Sequence, residues 1–220
     1  MKRRSILFLP AALAVASLCG LSGCSRSKAN WNEQTIRPVG EEPLGAPPSM
    51  VHEADLPEGF PAPGPVNQIV IKVYPDHRVA VRRSENDETS NNLFRPLFNH
   101  IKENDIAMTA PVRMTYGEEG TRPTSMAFVY ASPELGKTGK QKGVEVMDVA
   151  PQTVLSIGVH GGYDHERFAE AREKLTAWLQ KNAARYVADG PARYLGYNSP
   201  FVPPFMKYGE VQIPIRKAKP

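Results

Sequence analysis

The stretch Asn104-Asp105-Ile106-Ala107-Met108-Thr109-Ala110-Pro111-Val112-Arg113-Met114 is the most informative part of this sequence. Directly before it, residues 91–103 carry apolar side chains at helical spacing, a pattern that predicts an amphipathic helix. From about residue 106 to about residue 116 the composition becomes typical of a strand. Composition and periodicity by themselves predict a soluble domain of the α+β class.

Three shorter motifs accompany this stretch along the chain. They are Tyr74-Pro75, Gly161-Gly162-Tyr163 and Gly196-Tyr197-Asn198-Ser199-Pro200. Together with the first stretch they cover about residues 66–215, and the set resembles the SOUL/haem-binding-protein family. The resemblance implies a distorted, barrel-like sheet flanked by two helices. It also implies haem or another porphyrin as the ligand.

Residues 66–216 have the pattern of two similar halves. In the first half, strands are expected at about 66–74, 78–83, 106–116 and 125–131, with a helix at about 91–103. In the second half, strands are expected at about 144–147, 154–159, 193–198 and 209–215, with a helix at about 165–182. The first two strands, separated by the turn-forming residues 75–77, suggest a hairpin. The predicted fold is therefore α+β, with two pseudo-symmetric ββαββ repeats in a distorted antiparallel barrel-like sheet flanked by two helices.

The two predicted helices supply much of the expected core. In the second helix, one apolar face should sit on the sheet, and it consists of Phe168, Ala171, Leu175, Trp178 and Leu179. Asp164 is the predicted N-cap of this helix, and Glu170 and Lys174 form a favourable i,i+4 pair on its outer side. In the first helix, Pro96 is expected to make the helix begin close to it or bend there.

The N-terminus has the pattern of an export signal. Lys2-Arg3-Arg4 forms a positive region, and the apolar stretch from Ile6 to Leu18 is too short to span a bilayer. Leu21-Ser22-Gly23-Cys24 resembles a bacterial lipobox. Residues 1–23 are therefore interpreted as a lipoprotein signal peptide and Cys24 as the lipid-bearing residue. An ordinary signal peptide and an uncleaved anchor are the alternatives.

Cleavage before Cys24 would leave a single cysteine, with its sulfur occupied by lipid. A disulfide, a cysteine metal site and a cysteine nucleophile are then excluded. The lipid would hold the chain at the cell envelope without a membrane span, and Ser25 favours the outer membrane in a Gram-negative organism. The remaining chain has 24 basic and 23 acidic residues, so its composition gives no support for nucleic-acid binding.

Residues 24–65 are predicted to form a proline-rich tether, and residues 217–220 a short tail. Prolines lack the backbone N–H that a central strand needs, and when closely spaced they favour an extended, semi-rigid chain. Such a chain would hold the domain off the membrane. Trp31 and Phe60 leave open some docking of this segment onto the domain.

A haem site needs an apolar slot, a cation for the propionates and, optionally, an axial ligand for the iron. The resemblance implies that the first helix and the loop before the last strand form this slot. The residues at those positions are Phe94, Leu97, Phe98 and Ile101 in the helix and Phe201, Phe205 and Lys207 in the loop. Lys207 is expected near a propionate. The alternatives are plain core packing for the helix residues and a solvated side chain for Lys207.

His100 is the candidate axial ligand, because it flanks the apolar stripe of the first helix. None of the five histidines has metal-ligand spacing with another histidine or a carboxylate. The family supplies no invariant axial histidine at this position, so iron ligation stays open. Arg95 and Arg113 are further candidate partners for the propionates.

The predicted function is a membrane-tethered, non-enzymatic haem- or tetrapyrrole-binding protein of the cell envelope. A binding module for another amphipathic small ligand is one alternative. A hydrolase is the other, because related folds include a few hydrolases. The chain also offers scattered polar groups, namely His100, Glu103, Asp105 and Tyr116. The sequence contains no nucleophile elbow, phosphate-binding glycine loop, His-Glu-x-x-His helix or paired-cysteine motif. It leaves the oligomeric state open.

Overall fold

The computed structural model of the chain describes residues 36–85, 88–117 and 121–219. The predicted signal peptide, Cys24 and the first part of the predicted tether lie outside the described residues. The helices are α1 (Ser90–Glu103) and α2 (His165–Lys181). The strands are β1 (Ile36–Pro38), β2 (Ile69–Tyr74), β3 (His77–Arg83), β4 (Val112–Tyr116), β5 (Pro123–Val129), β6 (Gly139–Gln141), β7 (Val144–Val149), β8 (Gln152–His160), β9 (Tyr186–Ala188), β10 (Arg193–Gly196) and β11 (Tyr208–Lys217). None of the helices within these ranges has the length and apolar character needed to cross a membrane.

The strands form one large antiparallel sheet. Its order is β1-β2-β8-β11-β10-β4-β5-β3-β7-β6, and β9 pairs with β11 beside this path. The strands β10 and β4 therefore meet at the centre of the sheet. There Met114 pairs on one side with Tyr194 of β10 and on the other with Met126 of β5.

Both helices lie on the same face of the sheet. Tyr194 belongs to the apolar cluster under α2, and Met126 belongs to the cluster under α1. Both residues pair directly with Met114, and directly paired residues point to the same face of a sheet. Along the sheet, α1 packs over β3, β5 and β7, whereas α2 packs over β8, β9 and β11.

The sheet differs from the predicted one in closure and in pairing. In the described part of the chain, β1 and β6 are open edges, each with one neighbour, so the predicted barrel-like closure is wrong. The predicted β2–β3 hairpin is also wrong, because β2 pairs with β1 and β8 while β3 pairs with β5 and β7. Pro75 and Asp76 carry the chain from one half of the sheet to the other. The pseudo-symmetric repeat stays a prediction.

The second helix has nearly the predicted bounds and the predicted cap. The Asp164 carboxylate accepts a hydrogen bond from the Arg167 backbone N–H at 2.9 Å. The predicted ion pair is present, with Lys174 Nζ 2.7 Å from Glu170 Oε1. Four of the five predicted core residues are buried on the sheet: Phe168, Ala171, Leu175 and Leu179. Trp178 is only partly buried, because it lies at the margin of this face and packs beside Tyr186.

The first helix runs through Pro96 instead of beginning close to it. Proline has no N–H to donate, so the carbonyl of Asn92 loses its usual helical partner. Asn92 is exposed, so water can hydrogen-bond to that carbonyl. On the opposite side of the helix, Leu93, Leu97 and Ile101 are buried against the sheet. The packing of this apolar stripe holds the helix together across the proline.

Residues 36–65, here called the N-terminal segment, lie on the domain instead of extending away from it. β1 pairs with the edge of β2. Asp55 O accepts from Ala110 N at 3.0 Å, and Ala131 O accepts from Glu58 N at 2.9 Å. The Phe60 ring meets Tyr74 edge-on at 4.9 Å between centroids. The tether prediction therefore does not describe this segment, whose many prolines suit a strap that contributes carbonyls and apolar rings rather than strand N–H groups.

Candidate functional site

The two helices leave a strip of the sheet between them. α1 packs over β3, β5 and β7, and α2 packs over β8, β9 and β11, so β4 and β10 lie in the gap. On the helix side of this strip, Val112 and Met114 are partly exposed, and Met114 packs against the clusters under both helices. Gly196, at the end of β10, adds no side chain. The two strands therefore present a partly exposed apolar strip between the helices, here called the interhelical groove.

An aromatic pair on α1 lies beside this groove. The rings of Phe94 and Phe98 are stacked, with centroids 5.8 Å apart and planes 16° from parallel. Phe94 also meets Phe128 edge-on at 5.0 Å, and Phe128 is the direct cross-strand partner of Val112 in the groove floor. Phe98 remains 45% exposed. The pair therefore offers an aromatic surface at the α1 side of the groove.

A second aromatic group lies on the α2 side. Tyr163 stacks on Tyr116 at 4.7 Å with planes only 5° apart, and it meets Tyr194 edge-on at 5.3 Å. Burial raises the pKa of Tyr116 and of Tyr194 well above the ordinary value, so both phenols are neutral. Tyr163 is partly exposed. The sequence motif Gly161-Gly162-Tyr163 draws attention to Tyr163, but its ring partners Tyr116 and Tyr194 can be identified only once the strand pairing is known.

The other two predicted slot residues of α1 are core. Leu97 and Ile101 are buried in the cluster between α1 and the sheet. They support the helix from below and present no surface to a ligand in this arrangement. Arg95 is exposed on the helix, while Arg113 pairs across the sheet with Leu195, on the face away from the helices. Arg113 therefore does not face the interhelical groove.

Both ring nitrogens of the buried His100 already have partners. Nε2 lies 2.8 Å from the Tyr130 hydroxyl, and Nδ1 lies 3.4 Å from Asn104 Nδ2. Burial lowers the pKa of His100, which favours the neutral ring. To bind iron, the imidazole would have to give up its contact with Tyr130. Within residues 36–85, 88–117 and 121–219, no cluster of three or more His, Cys, Asp or Glu side chains could hold a metal ion.

The loop residues of the predicted slot contact a different part of the molecule. Lys207 Nζ donates to the Pro200 carbonyl at 3.2 Å within the loop, and Lys207 O accepts from Gly161 N at 2.7 Å. Phe201 and Phe205 project into solvent. The loop thus lies near the start of α2 and against the N-terminal segment. In contrast, Phe94 packs on Phe128 of β5, and Phe98 stacks on Phe94. Whether the two sets share one ligand stays a prediction.

The face away from the helices carries a buried polar network that sequence reasoning missed. Lys72 Nζ and Glu210 Oε1 are 2.5 Å apart, and Ser156 Oγ and Gln212 Nε2 donate to Glu210 Oε2 at 2.9 and 2.8 Å. Burial disfavours a charge on Glu210, but the attraction of Lys72 and the hydrogen bonds outweigh it, so the pKa of Glu210 lies below its ordinary value. Lys72 lies in β2 and Glu210 in β11, and these strands are far apart in the sequence, so no local sequence pattern indicates the pair.

The N-terminal segment closes this network from solvent. Ala62 O accepts from Lys72 Nζ at 2.7 Å, and Gly64 N donates to Glu210 Oε1 at 2.7 Å. The Tyr208 hydroxyl donates to Gly64 O at 2.6 Å. The network therefore fastens the segment to the sheet, and it offers no opening to a ligand in this arrangement. The interhelical groove remains the candidate site.

Comparison with protein families gives one match. The model of the family described as SOUL heme-binding protein matches residues 67–214. These residues include both helices, the interhelical groove and the loop before β11. None of the curated proteins compared with the chain matches it significantly.

Solved structures with a similar fold come from proteins of diverse description. The EcmrR C-terminal domain matches with a TM-score of 0.54 and 17% identity over 69% of this chain and 98% of that one. EcmrR in a complex with DNA matches with a TM-score of 0.55 and 16% identity over 69% of this chain and 58% of that one. A hydrolase from Listeria innocua matches with a TM-score of 0.50 and 8% identity over 70% of this chain and 94% of that one. At these identities the likeness shows the fold alone.

Proposed function

Because this chain belongs to the SOUL heme-binding protein family, we propose that it binds haem or another tetrapyrrole in the interhelical groove. The observation that carries the proposal is the stacked pair of Phe94 and Phe98, with Phe98 45% exposed beside an apolar floor. A porphyrin is a flat, largely apolar ring, and it can extend such a stack. Tyr163 supplies a partly exposed aromatic ring from the α2 side.

Apolar contact supplies most of the proposed affinity. Covering aromatic surface gains about 25 cal/mol for each Å² removed from water, whereas one exposed ion pair to a propionate contributes about 0–1 kcal/mol. The floor residues Val112 and Met114 add apolar surface under the ring. The groove therefore selects for a flat apolar ring more than for particular charged substituents.

The proposed binding does not depend on iron ligation by His100. Both ring nitrogens of His100 are within hydrogen-bonding distance of protein partners, and its side chain is buried under α1. The residues of the groove thus fit the porphyrin ring but supply no ready axial imidazole. Haem iron, where present, would contribute its own redox and ligand-binding chemistry. Iron-free protoporphyrin is accordingly expected to bind about as tightly as hemin.

We propose further that the protein works at the cell envelope, held there by lipid on Cys24, and that it carries its ligand without catalysing a reaction. The Leu21-Ser22-Gly23-Cys24 motif supports the anchor. The fold likeness to a hydrolase does not favour catalysis, because the buried polar network around Glu210 is sealed by residues 62–64. A different amphipathic ring as ligand is the alternative that the same groove supports.

Titration of the full chain with hemin and with protoporphyrin tests this function. A saturable one-site change in absorbance and fluorescence is expected with both ligands. No saturable change with either ligand would overturn tetrapyrrole binding and leave the alternative amphipathic ligand. Hydrolysis of one or more esters from a test panel would contradict the non-enzymatic part of the proposal, provided that a substitution in this chain abolishes the hydrolysis.

A further inference from the structure

The loop between β10 and β11 presents large apolar side chains to solvent. Phe201 is 94% exposed and Phe205 is 80% exposed, and the neighbouring Met206 is also exposed. Single exposed apolar residues are common, but three together on one loop mark a contact surface. We call residues 201, 205 and 206 the apolar tip.

The exposure is not the result of a loose loop. Val202 is buried beneath the tip, and residues 204–206 form a 3-10 turn. At the base of the loop, the Glu53 carboxylate accepts from both the backbone N–H and the hydroxyl of Ser199 at 2.7 Å. Lys207 O accepts from Gly161 N at 2.7 Å. The loop is thus fastened on two sides, and its phenylalanines are held outward.

Two cations stand next to the apolar tip. Arg167 Nη1 donates to the Gly162 carbonyl at 3.1 Å, and the Lys207 side chain runs beside the same Gly162. Arg167 and Phe205 line one cavity of about 420 Å³, together with His160. Among the described residues, neither Arg167 nor Lys207 forms an ion pair. Lys207 lies near Glu53 and Arg167 near Glu170, close enough for each cation to lower the pKa of that carboxyl, but neither cation is held in an ion pair. Exposed aromatic rings beside such cations complement a surface that is apolar inside and anionic outside.

The chain before the domain is long enough to bring the tip to such a surface. Residues 25–35 separate the proposed lipid-bearing Cys24 from β1, and a chain of this length reaches about 40 Å when extended. A domain anchored in this way remains within about one domain diameter of the bilayer. This step rests on the proposed membrane anchor.

We propose that the apolar tip inserts into the headgroup region of an anionic phospholipid bilayer, with Lys207 and Arg167 against headgroups that carry a net negative charge. A lipid chain alone fixes where the protein is, but it does not determine which face of the domain meets the bilayer. The apolar tip adds a second point of attachment and fixes the orientation of the domain. It also gives Phe201, Phe205 and Lys207 a role separate from the porphyrin groove.

Depth measurement with a spin label tests the proposal. The full chain carries Cys19→Ser and Phe201→Cys, and its Cys24 either bears lipid or is replaced by Ala, so that residue 201 supplies the reactive thiol. This chain is labelled with a nitroxide and placed with vesicles of phosphatidylglycerol and phosphatidylethanolamine. Collisions with a water-soluble nickel reagent are expected to fall several-fold relative to the vesicle-free sample, and collisions with oxygen are expected to rise. A label at Lys140→Cys, on the exposed β6, is the matched control and should not change. Adding Phe205→Asp should restore the collisions of the label at 201 with the nickel reagent to the vesicle-free level, whereas adding Leu135→Asp should not.

Sedimentation of the same samples separates this proposal from the anchor. Failure of the chain to sediment with vesicles would show that the lipid anchor is absent. In that case, fewer collisions between the label at 201 and the nickel reagent at excess lipid would still support insertion of the apolar tip. A label at 201 that stays as water-accessible as the label at 140, in sedimented chain or at excess lipid, would overturn the proposal. Equal protection with phosphatidylcholine vesicles would overturn the assignment of Lys207 and Arg167 to anionic headgroups.

Discussion

Lys72 and Glu210 form an ion pair of 2.5 Å whose two side chains are fully buried between the sheet and the N-terminal segment. Removing two charges from water is costly, and the cost is repaid only when every remaining polar atom has a partner. Here Ala62 O, Gly64 N and Ser156 Oγ complete the shell of hydrogen bonds. The ion pair therefore couples the packing of residues 62–64 to the stability of the whole domain.

Removal of one member of this pair should be much more harmful than removal of both. Glu210→Gln leaves the Lys72 ammonium buried without its counter-charge, and we expect a loss of about 3–5 kcal/mol in the free energy of unfolding. Lys72→Met combined with Glu210→Gln should lose less than Glu210→Gln alone. Urea melts of the parent and of both variants measure these two losses. Lys174→Ala, which breaks the exposed pair with Glu170, is the control and should cost less than about 1 kcal/mol. Equal losses for the single and double variants would contradict the account.

His77 should make the protein less stable in mild acid. Burial lowers the pKa of His77 to about 4, with a smaller contribution from the charges of Arg113 and Arg193. In the unfolded chain, His77 has an ordinary pKa near 6.5, so between about pH 6.5 and about pH 4 the unfolded chain binds more protons than the folded one. The free energy of unfolding therefore falls as the pH is lowered from about 7 to about 4. The upper limit of this loss is about 3 kcal/mol. Urea melts at several pH values should show a shallower dependence for His77→Asn than for the parent, and identical slopes would show that His77 does not titrate as described.

Two apolar residues on α2 should differ in their cost because they differ in burial. Leu175 is fully buried under the helix, and we expect Leu175→Ala to cost about 2–5 kcal/mol. Trp178 is larger but lies at the margin beside Tyr186, so Trp178→Ala should cost less than Leu175→Ala despite the greater loss of volume. Thermal or urea unfolding of both variants decides the order. A larger loss for Trp178→Ala would mean that the indole is more deeply covered than described.

Cys24 should determine where the protein is found in the cell. If lipid on Cys24 is the anchor, Cys24→Ala should move the protein out of the membrane fraction or block processing of its N-terminus. Fractionation, with mass measurement of the mature N-terminal peptide, reports both effects. Ser25→Ala is a matched control that keeps the thiol. An unchanged membrane fraction with Cys24→Ala would contradict the lipoprotein prediction.

Features that depend on local sequence were predicted well. The bounds of α2, its cap at Asp164 and its buried face follow from helical spacing and capping preference, which act over a few residues. The bounds of α1 were also close, but the effect of Pro96 was not, because the packing of Leu93 and Leu97 outweighs the loss of one helical hydrogen bond.

Features that depend on strand pairing were predicted poorly. The turn-forming residues 75–77 suggest a hairpin between β2 and β3, yet each strand pairs with partners far along the chain. The same long-range pairing brings Lys72 to Glu210 and Tyr116 to Tyr163. No local pattern specifies these contacts, because a strand's period shows which face is buried but not which strand lies beside it. For the same reason, the sequence could not show that some predicted slot residues lie beside the groove, others in the core and others on the loop before β11.

The central claim is that the interhelical groove holds a tetrapyrrole against the Phe94–Phe98 stack. Its most direct test is the dissociation constant of protoporphyrin, measured by fluorescence, for the full chain and for Phe98→Ala and Phe94→Ala/Phe98→Ala. Leu135→Ala/Met147→Ala, which removes two exposed apolar side chains away from the groove, is the matched control. We expect the double groove variant to bind about tenfold or more weakly, Phe98→Ala to show an intermediate loss, and the control to bind like the parent. Parent-like affinity in a folded Phe94→Ala/Phe98→Ala variant, as judged by circular dichroism, would contradict the claim.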